Sequence, residues 1–179
     1  MASQFEPLLD SIRAAVRHEN WLAALAVSLM LPDICANIEW PRENSSTRYR
    51  KWWAHNFAAT YKYGTASDYV TGEEVYKFRC AYLHEGSEVQ SRETELSAVI
   101  DKFQFTISKP HHLIKEGNIV WLDVPTFCEN MCDHVESWET KILSKNPDME
   151  TRAKKLLKIY IVLLPSGISS TGVITEFCG

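Results

Sequence analysis

The run WLAALAVSLML, from Trp21 to Leu31, is apolar at every position except Ser28. A helix with apolar residues on all sides has no face to give to water and must be covered all round. The run is far shorter than the ~20 residues a bilayer crossing requires, so it predicts the central helix of a bundle. Pro32 either ends this helix or kinks it, because the ring has no N–H and clashes with the preceding turn. On the second alternative Asp33 to Trp40 continue the helix, and Pro41 stops it.

The segments around it supply the cover. Phe5, Leu8, Leu9, Ile12 and Val16 recur at helical spacing, with Arg13 and Arg17 on other faces. Ser45, Ser46 and Thr47 offer N-caps for a third helix with the stripe Tyr49, Trp52, Trp53, Phe57 and Tyr61. Gly64 to Tyr69 reads as a loop. Thr71-Gly72-Glu73-Glu74 fits the S/T-x-x-E capping box and starts a fourth helix, about Gly72 to Glu85, that stops near Gly86. A polar stretch from Gly86 to Glu95 follows.

The period then changes from helix to strand. Phe103, Phe105 and Ile107 alternate with polar residues, Ile119 to Val124 is a second strand, and the two are expected to pair antiparallel across Lys109 to Asn118. A helical stripe returns at Phe127, Met131, Val135, Trp138 and Ile142, and Asn146-Pro147-Asp148 breaks it. Strands are expected at Ile159 to Leu164 and Gly172 to Phe177, with a helix through Leu156, Leu157, Tyr160, Ile161 and Leu164 as the competing reading. The expectation is one α+β domain over 1–179, mainly α. Its helical bundle occupies about 4–100 and 125–145, and its small antiparallel sheet comes from about 103–124 and 158–177.

With 45% hydrophobic residues, only seven Gly and seven Pro, the 179-residue chain is neither disordered nor of low complexity. A net charge of -4 argues against a general basic coat for nucleic acid and leaves room for a local patch. Five dispersed cysteines do not read as a disulfide framework, and Met1 to Glu6 shows no secretory signal. A soluble protein of the reducing cytoplasm, away from membranes, is expected.

Chemistry concentrates on the capped fourth helix. At 100° per residue Val75, Phe78, Tyr82 and Leu83 form one apolar arc, and Arg79 falls inside it. Such an Arg either packs its stem on the core and pairs its head with an acid, or meets a phosphate or a second subunit. His84 lies about 140° round from Arg79, on the polar side with Glu73, Lys77 and Cys80. The long Arg side chain and a relaxed last turn bring both heads within reach of one groove. Glu74 and Glu73 flank the motif at the helix start.

Other residues carry weaker signals. Arg42, Arg48, Arg50 and Lys51 interleave with Tyr49, Trp52 and Trp53, as in an RNA-facing patch. The alternative, which the core-like spacing favours, is a helix with buried aromatics and a solvated cationic face. Cys128, Cys132 and His134 have metal-like spacing, but on a helix they do not converge. His111 and His112 sit in a connection. No phosphate loop, nucleophile elbow or H-E-x-x-H motif occurs, and no metal or cofactor is expected.

Arg79-Cys80-Ala81-Tyr82-Leu83-His84 is R-x4-H at the end of a helix in a small bundle, and this resembles the HEPN superfamily (higher eukaryotes and prokaryotes nucleotide-binding domains). Thr71 to Gly86, TGEEVYKFRCAYLHEG, is similar to a group of small uncharacterised bacterial proteins of that kind. So are Phe103-Gln104-Phe105, Leu122-Asp123-Val124 and Phe127-Cys128 to Trp138, so the likeness to that group spans most of the chain. The resemblance implies a HEPN-like bundle and a metal-independent endoribonuclease that works as a homodimer, with the motif helices of two protomers lining a shared cleft. His84 would activate the ribose 2′-hydroxyl or protonate the leaving oxygen, and Arg79 would stabilise charge on the phosphate. The apolar arc around Arg79 would then be the interface. A role as a toxin or phage-defence component, with an antitoxin or regulatory protein as partner, goes with this. Cys80 departs from the pattern: a polar residue, often Asn, commonly follows the motif Arg, and a thiol is a weak donor. The alternative is a non-catalytic HEPN-like module that binds nucleic acid or protein.

Overall fold

A computed structural model describes residues 3–62, 70–85, 102–117 and 119–156; of His84, Glu85, Lys102 and Lys115 it describes the backbone. The strands expected at 159–164 and 172–177, the competing helix beyond Leu156, the loop at 64–69 and the polar stretch from Gly86 lie outside these residues.

Three helices open the chain: α1 (Glu6–Arg17), α2 (Trp21–Glu39) and α3 (Ser45–Asn56). The α2 helix is central, packing against α1 and α3 and against two helices that come later in the chain. Asn20 caps it, its side chain accepting from the Ala23 N–H at 3.4 Å. Pro32 lies inside the helix and does not end it, so α2 runs 19 residues. By length and composition α2 could cross a membrane, yet half of its apolar window is buried within this fold. Leu25, Leu29, Leu31, Cys35 and Ala36 are buried in the core.

The stripe predicted on the third helix is the aromatic centre of the core, but α3 ends at Asn56, and Phe57 and Tyr61 join the core from the turns that follow. Tyr49, Trp52, Trp53, Phe57 and Tyr61 are fully buried, with Trp138 edge-on to Trp52 at 6.4 Å. Trp53 donates its indole N–H to the Val70 carbonyl at 2.8 Å, which fixes the approach to α4 (Gly72–Cys80). Here the capping box forms as the sequence predicts. The Glu74 N–H donates to Thr71 Oγ1 at 3.2 Å, and the Thr71 N–H donates to Glu74 Oε2 at 2.7 Å. Gly72 is required at this point, because a Cβ there would lie 2.6 Å from the Arg50 carbonyl oxygen. That close approach sets α4 directly on α3. The α-helix then gives way to a π-helical turn, Ala81–Glu85.

The sheet departs from expectation. Strand β1 (Lys102–Thr106) pairs parallel with β3 (Ile119–Asp123), from Lys102↔Ile119 to Thr106↔Asp123. A three-residue strand, β2 (Ile114–Glu116), pairs antiparallel with β3 on its other side, giving the order β1-β3-β2. The chain therefore reverses twice between β1 and β3: once through the 3-10 turn at Lys109–His111, and once at Gly117, whose φ of +60° suits glycine. Two reversals return it parallel to its start. The single reversal expected from Lys109 to Asn118 overlooked β2, which is too short to show alternation.

Asp123 ends β3 and caps α5 (Val124–Lys141), accepting from the Thr126 N–H at 3.0 Å. The α5 stripe Phe127, Met131, Val135 and Trp138 is buried, together with Cys128 and Cys132. Asn146-Pro147-Asp148 breaks the helical run and also opens α6 (Pro147–Ala153), with Asn146 accepting from the Met149 N–H at 3.2 Å. The described fold is thus α+β and mainly α, with a small mixed sheet in place of an antiparallel one.

Candidate functional site

Arg79 projects from the last turn of α4 onto Asp33 of α2. Its Nη2 donates to Asp33 Oδ2 at 3.3 Å, and its Nη1 lies 4.0 Å from Cys80 Sγ. The second carboxylate oxygen, Asp33 Oδ1, accepts from Arg48 Nε at 3.2 Å, from Arg48 Nη2 at 3.1 Å and from Ser45 Oγ at 3.0 Å. One carboxylate thus joins three helices. The side chains of Arg79, Arg48 and Asp33 keep 16%, 18% and 21% of their surface exposed, so solvent reaches each of them. Beneath them Tyr49 donates its hydroxyl to the Leu29 carbonyl at 3.1 Å, and burial pushes its phenol well above the ordinary value. Burial also raises Tyr76, with the Cys80 thiol beside it adding to the shift.

The backbone of His84 lies in the π-helical turn. A π turn closes i→i+5 bonds and advances fewer degrees per residue than an α-helix. The backbone position of His84 therefore comes round closer to that of Arg79 than the 140° of a continuous α-helix. The turn rests beside the start of α2, where the Tyr82 hydroxyl donates to the Leu22 carbonyl at 3.1 Å.

Arg42 is exposed in the turn after α2, and three other cations named from the sequence are engaged locally. Arg50 pairs with Glu73 and donates to the Ser46 carbonyl at 3.0 Å. Lys77 lies 3.6 Å from the same Glu73. Lys51 pairs with Glu43 at 2.8 Å while covering the Trp40 ring at 4.1 Å. With Tyr49, Trp52 and Trp53 buried, α3 has no exposed aromatics from that set on which bases would stack. Of these cations only Arg48 converges with Arg79. Glu74 serves the capping box and is itself buried.

No family model, no curated protein and no solved structure matches the chain.

Asp33 is a residue of this site that no motif in the sequence marks. A signal was available: it is the first acid after Glu19, in a helix that is otherwise apolar as far as Ile38 apart from Ser28 and Asn37. A charge in such a helix needs a partner. What the spacing could not supply was the partner's identity, because Arg48 and Arg79 lie 15 and 46 residues away.

A second polar cluster sits where β3 meets α5. The Asp123 N–H donates to His112 Nδ1 at 3.2 Å, and the His112 ring stands edge-on to Tyr61 at 5.4 Å. Asn130 donates to the Tyr61 hydroxyl at 3.3 Å. His112 Nε2 and Asp123 Oδ1 are buried without hydrogen-bond partners among the described residues, and burial lowers the His112 pKa. His134 is also lowered by burial; it lies 2.8 Å from Thr60 Oγ1 and packs on Phe57. Cys128 and Cys132 are core thiols, pushed up by burial to about 11 and about 12.

Proposed function

We propose that this protein is a metal-independent endoribonuclease of the HEPN kind, acting through Arg79 and His84 as a dimer in the cytoplasm. The observation that carries the reading is Arg79 itself, a partly exposed guanidinium at the end of a capped helix, followed five residues later by a histidine on a π turn. π turns are frequent at functional sites because they re-aim side chains at modest cost to the helix. A guanidinium matches the fork geometry of a phosphate, and an imidazole titrates near working pH, so the pair suits transesterification at a ribose 2′-hydroxyl. Exposed Leu22 on α2, whose carbonyl takes the Tyr82 hydroxyl beside the π turn, supports a second copy as the cover for this end of the molecule. A toxin or phage-defence role with a regulatory partner protein belongs to the same reading.

One observation favours a second reading. Arg79 is paired with Asp33 of its own chain, as a structural arginine would be, and Arg50 and Lys51 are likewise held by acids. On this reading the protein is a HEPN-like binding module without catalysis.

Purified protein incubated with structured and unstructured RNA in EDTA separates the two. Cleavage that persists in chelator and disappears in both Arg79→Ala and His84→Ala is the expected result. Equal inertness of the wild type and both variants on every RNA overturns the nuclease reading.

A further inference from the structure

We infer that Asp33 is a positioning residue which holds Arg79 and Arg48 together as a two-arginine clamp for a phosphate group of single-stranded RNA. The inference rests on the reading above, in which Arg79 meets the RNA backbone.

The geometry is that of a divided carboxylate. Oδ2 takes Arg79 Nη2 at 3.3 Å, and Oδ1 takes both Nε and Nη2 of Arg48 within 3.2 Å. Ser45 Oγ, at 3.0 Å from Oδ1, fixes the carboxylate itself, and Arg48 Nη1 is steadied by the Glu43 carbonyl at 3.3 Å. Neutralising one structural arginine takes one pair. Here two guanidiniums from different helices are gathered at one carboxylate, and all three side chains still meet solvent. A phosphate presents the same kind of anionic oxygens to guanidinium N–H groups as a carboxylate does. It would therefore compete with Asp33 for donors that Asp33 has aligned.

Two opposite effects follow from Asp33→Asn, which keeps the side-chain shape and removes the charge. RNA loses its competitor and binds more tightly, while the arginines lose their alignment and turnover slows. The probe for binding is a labelled single-stranded 2′-O-methyl oligonucleotide, which cannot be cleaved through its 2′-oxygen, followed by fluorescence anisotropy over a range of salt. Arg48→Ala and Arg79→Ala are each expected to weaken binding about tenfold and to flatten the salt dependence by about one ion. Asp33→Asn is expected to tighten binding severalfold and to lower kcat about tenfold on cleavable RNA.

A merely structural Asp33 gives a different pattern, in which binding and turnover fall together as folded protein is lost. That result, or unchanged binding in Arg48→Ala, overturns the clamp. If Asp33→Asn does not fold, Ser45→Ala, which removes only a hydroxyl bond to the same oxygen, is expected to shift binding and turnover in the same two directions by smaller factors. If the wild type binds the oligonucleotide yet cleaves no RNA, the nuclease reading falls, and the anisotropy series still decides the clamp.

Discussion

Two acidic residues at helix junctions, Asp33 and Asp123, are used in opposite ways. Asp33 has both oxygens engaged by side chains from two other helices, and its partners remain in touch with solvent. Asp123 is buried; one oxygen caps α5, and the other has no hydrogen-bond partner among the described residues. At Asp33 the charge is what matters, because two cations depend on it. At Asp123 the shape matters, with the two bonds that Oδ2 accepts from the Thr126 N–H and hydroxyl, and an unpartnered carboxylate oxygen costs stability. A carboxylate-to-amide exchange should therefore separate the two regions.

The largest effect is expected at Asp33. Asp33→Ala leaves two largely buried guanidiniums without their shared acid and should cost about 2–4 kcal/mol in urea unfolding, near the lower end for a broken buried pair because solvent still reaches them. A loss below about 0.5 kcal/mol would place Asp33 among ordinary surface pairs. Next comes Gly72→Ala, whose Cβ would meet the Arg50 backbone at 2.6 Å; overpacking of this kind costs about 1–3 kcal/mol. It should also weaken the Arg79–Asp33 contact, since α4 must back away from α3, whereas the Asp123 region should not respond. Chemical shifts at the two clusters would read this directly. Asp123→Ala should cost about 1 kcal/mol through the lost cap, while Asp123→Asn, an equally good N-cap, should be neutral or slightly stabilising. If Asp123→Asn destabilises as much as Asp33→Asn, the contrast between the two acids is wrong.

Local rules carried the sequence-based expectations a long way. The capping box at Thr71–Glu74 and the stripes Tyr49, Trp52 and Trp53 on α3 and Phe127 to Trp138 on α5 depend on residues a few positions apart, and the structure forms them where the spacing predicts, whereas Phe57, Tyr61 and Ile142 fall past the helix ends. Pro32 inside α2 is a tertiary override, since the cover that α1, α3 and α5 give this helix outweighs one missing bond. The parallel pairing of β1 with β3 was hidden by the three residues of β2, whose pairing across Gly117 gives no periodic signal of its own. The arc geometry placed Arg79 on the apolar side and left two outcomes, an acid or an interface. Which acid it meets is a long-range fact that helical spacing does not encode, and Asp33 was therefore legible only as an isolated charge in an apolar helix.

The smallest effect concerns pH and belongs to the Asp123 region. His112 accepts from the Asp123 N–H through Nδ1, so its neutral form is the one that fits, and burial lowers its pKa below the ordinary value. The charge of Asp123 acts against this shift and does not reverse it. With the folded pKa depressed, the unfolded chain binds more protons in the range just below pH 6.5. Stability is then complete above that range and declines as pH falls through it, with a slope of at most about 1.4 kcal/mol per pH unit per histidine. His134, also lowered by burial, contributes in the same direction. Unfolding free energies measured between pH 7.5 and 5 should therefore fall toward acid. His112→Asn, which retains a side-chain acceptor, should flatten the curve without removing the share of His134. A slope unaltered by His112→Asn would show that the acid sensitivity lies elsewhere than at the β3–α5 junction.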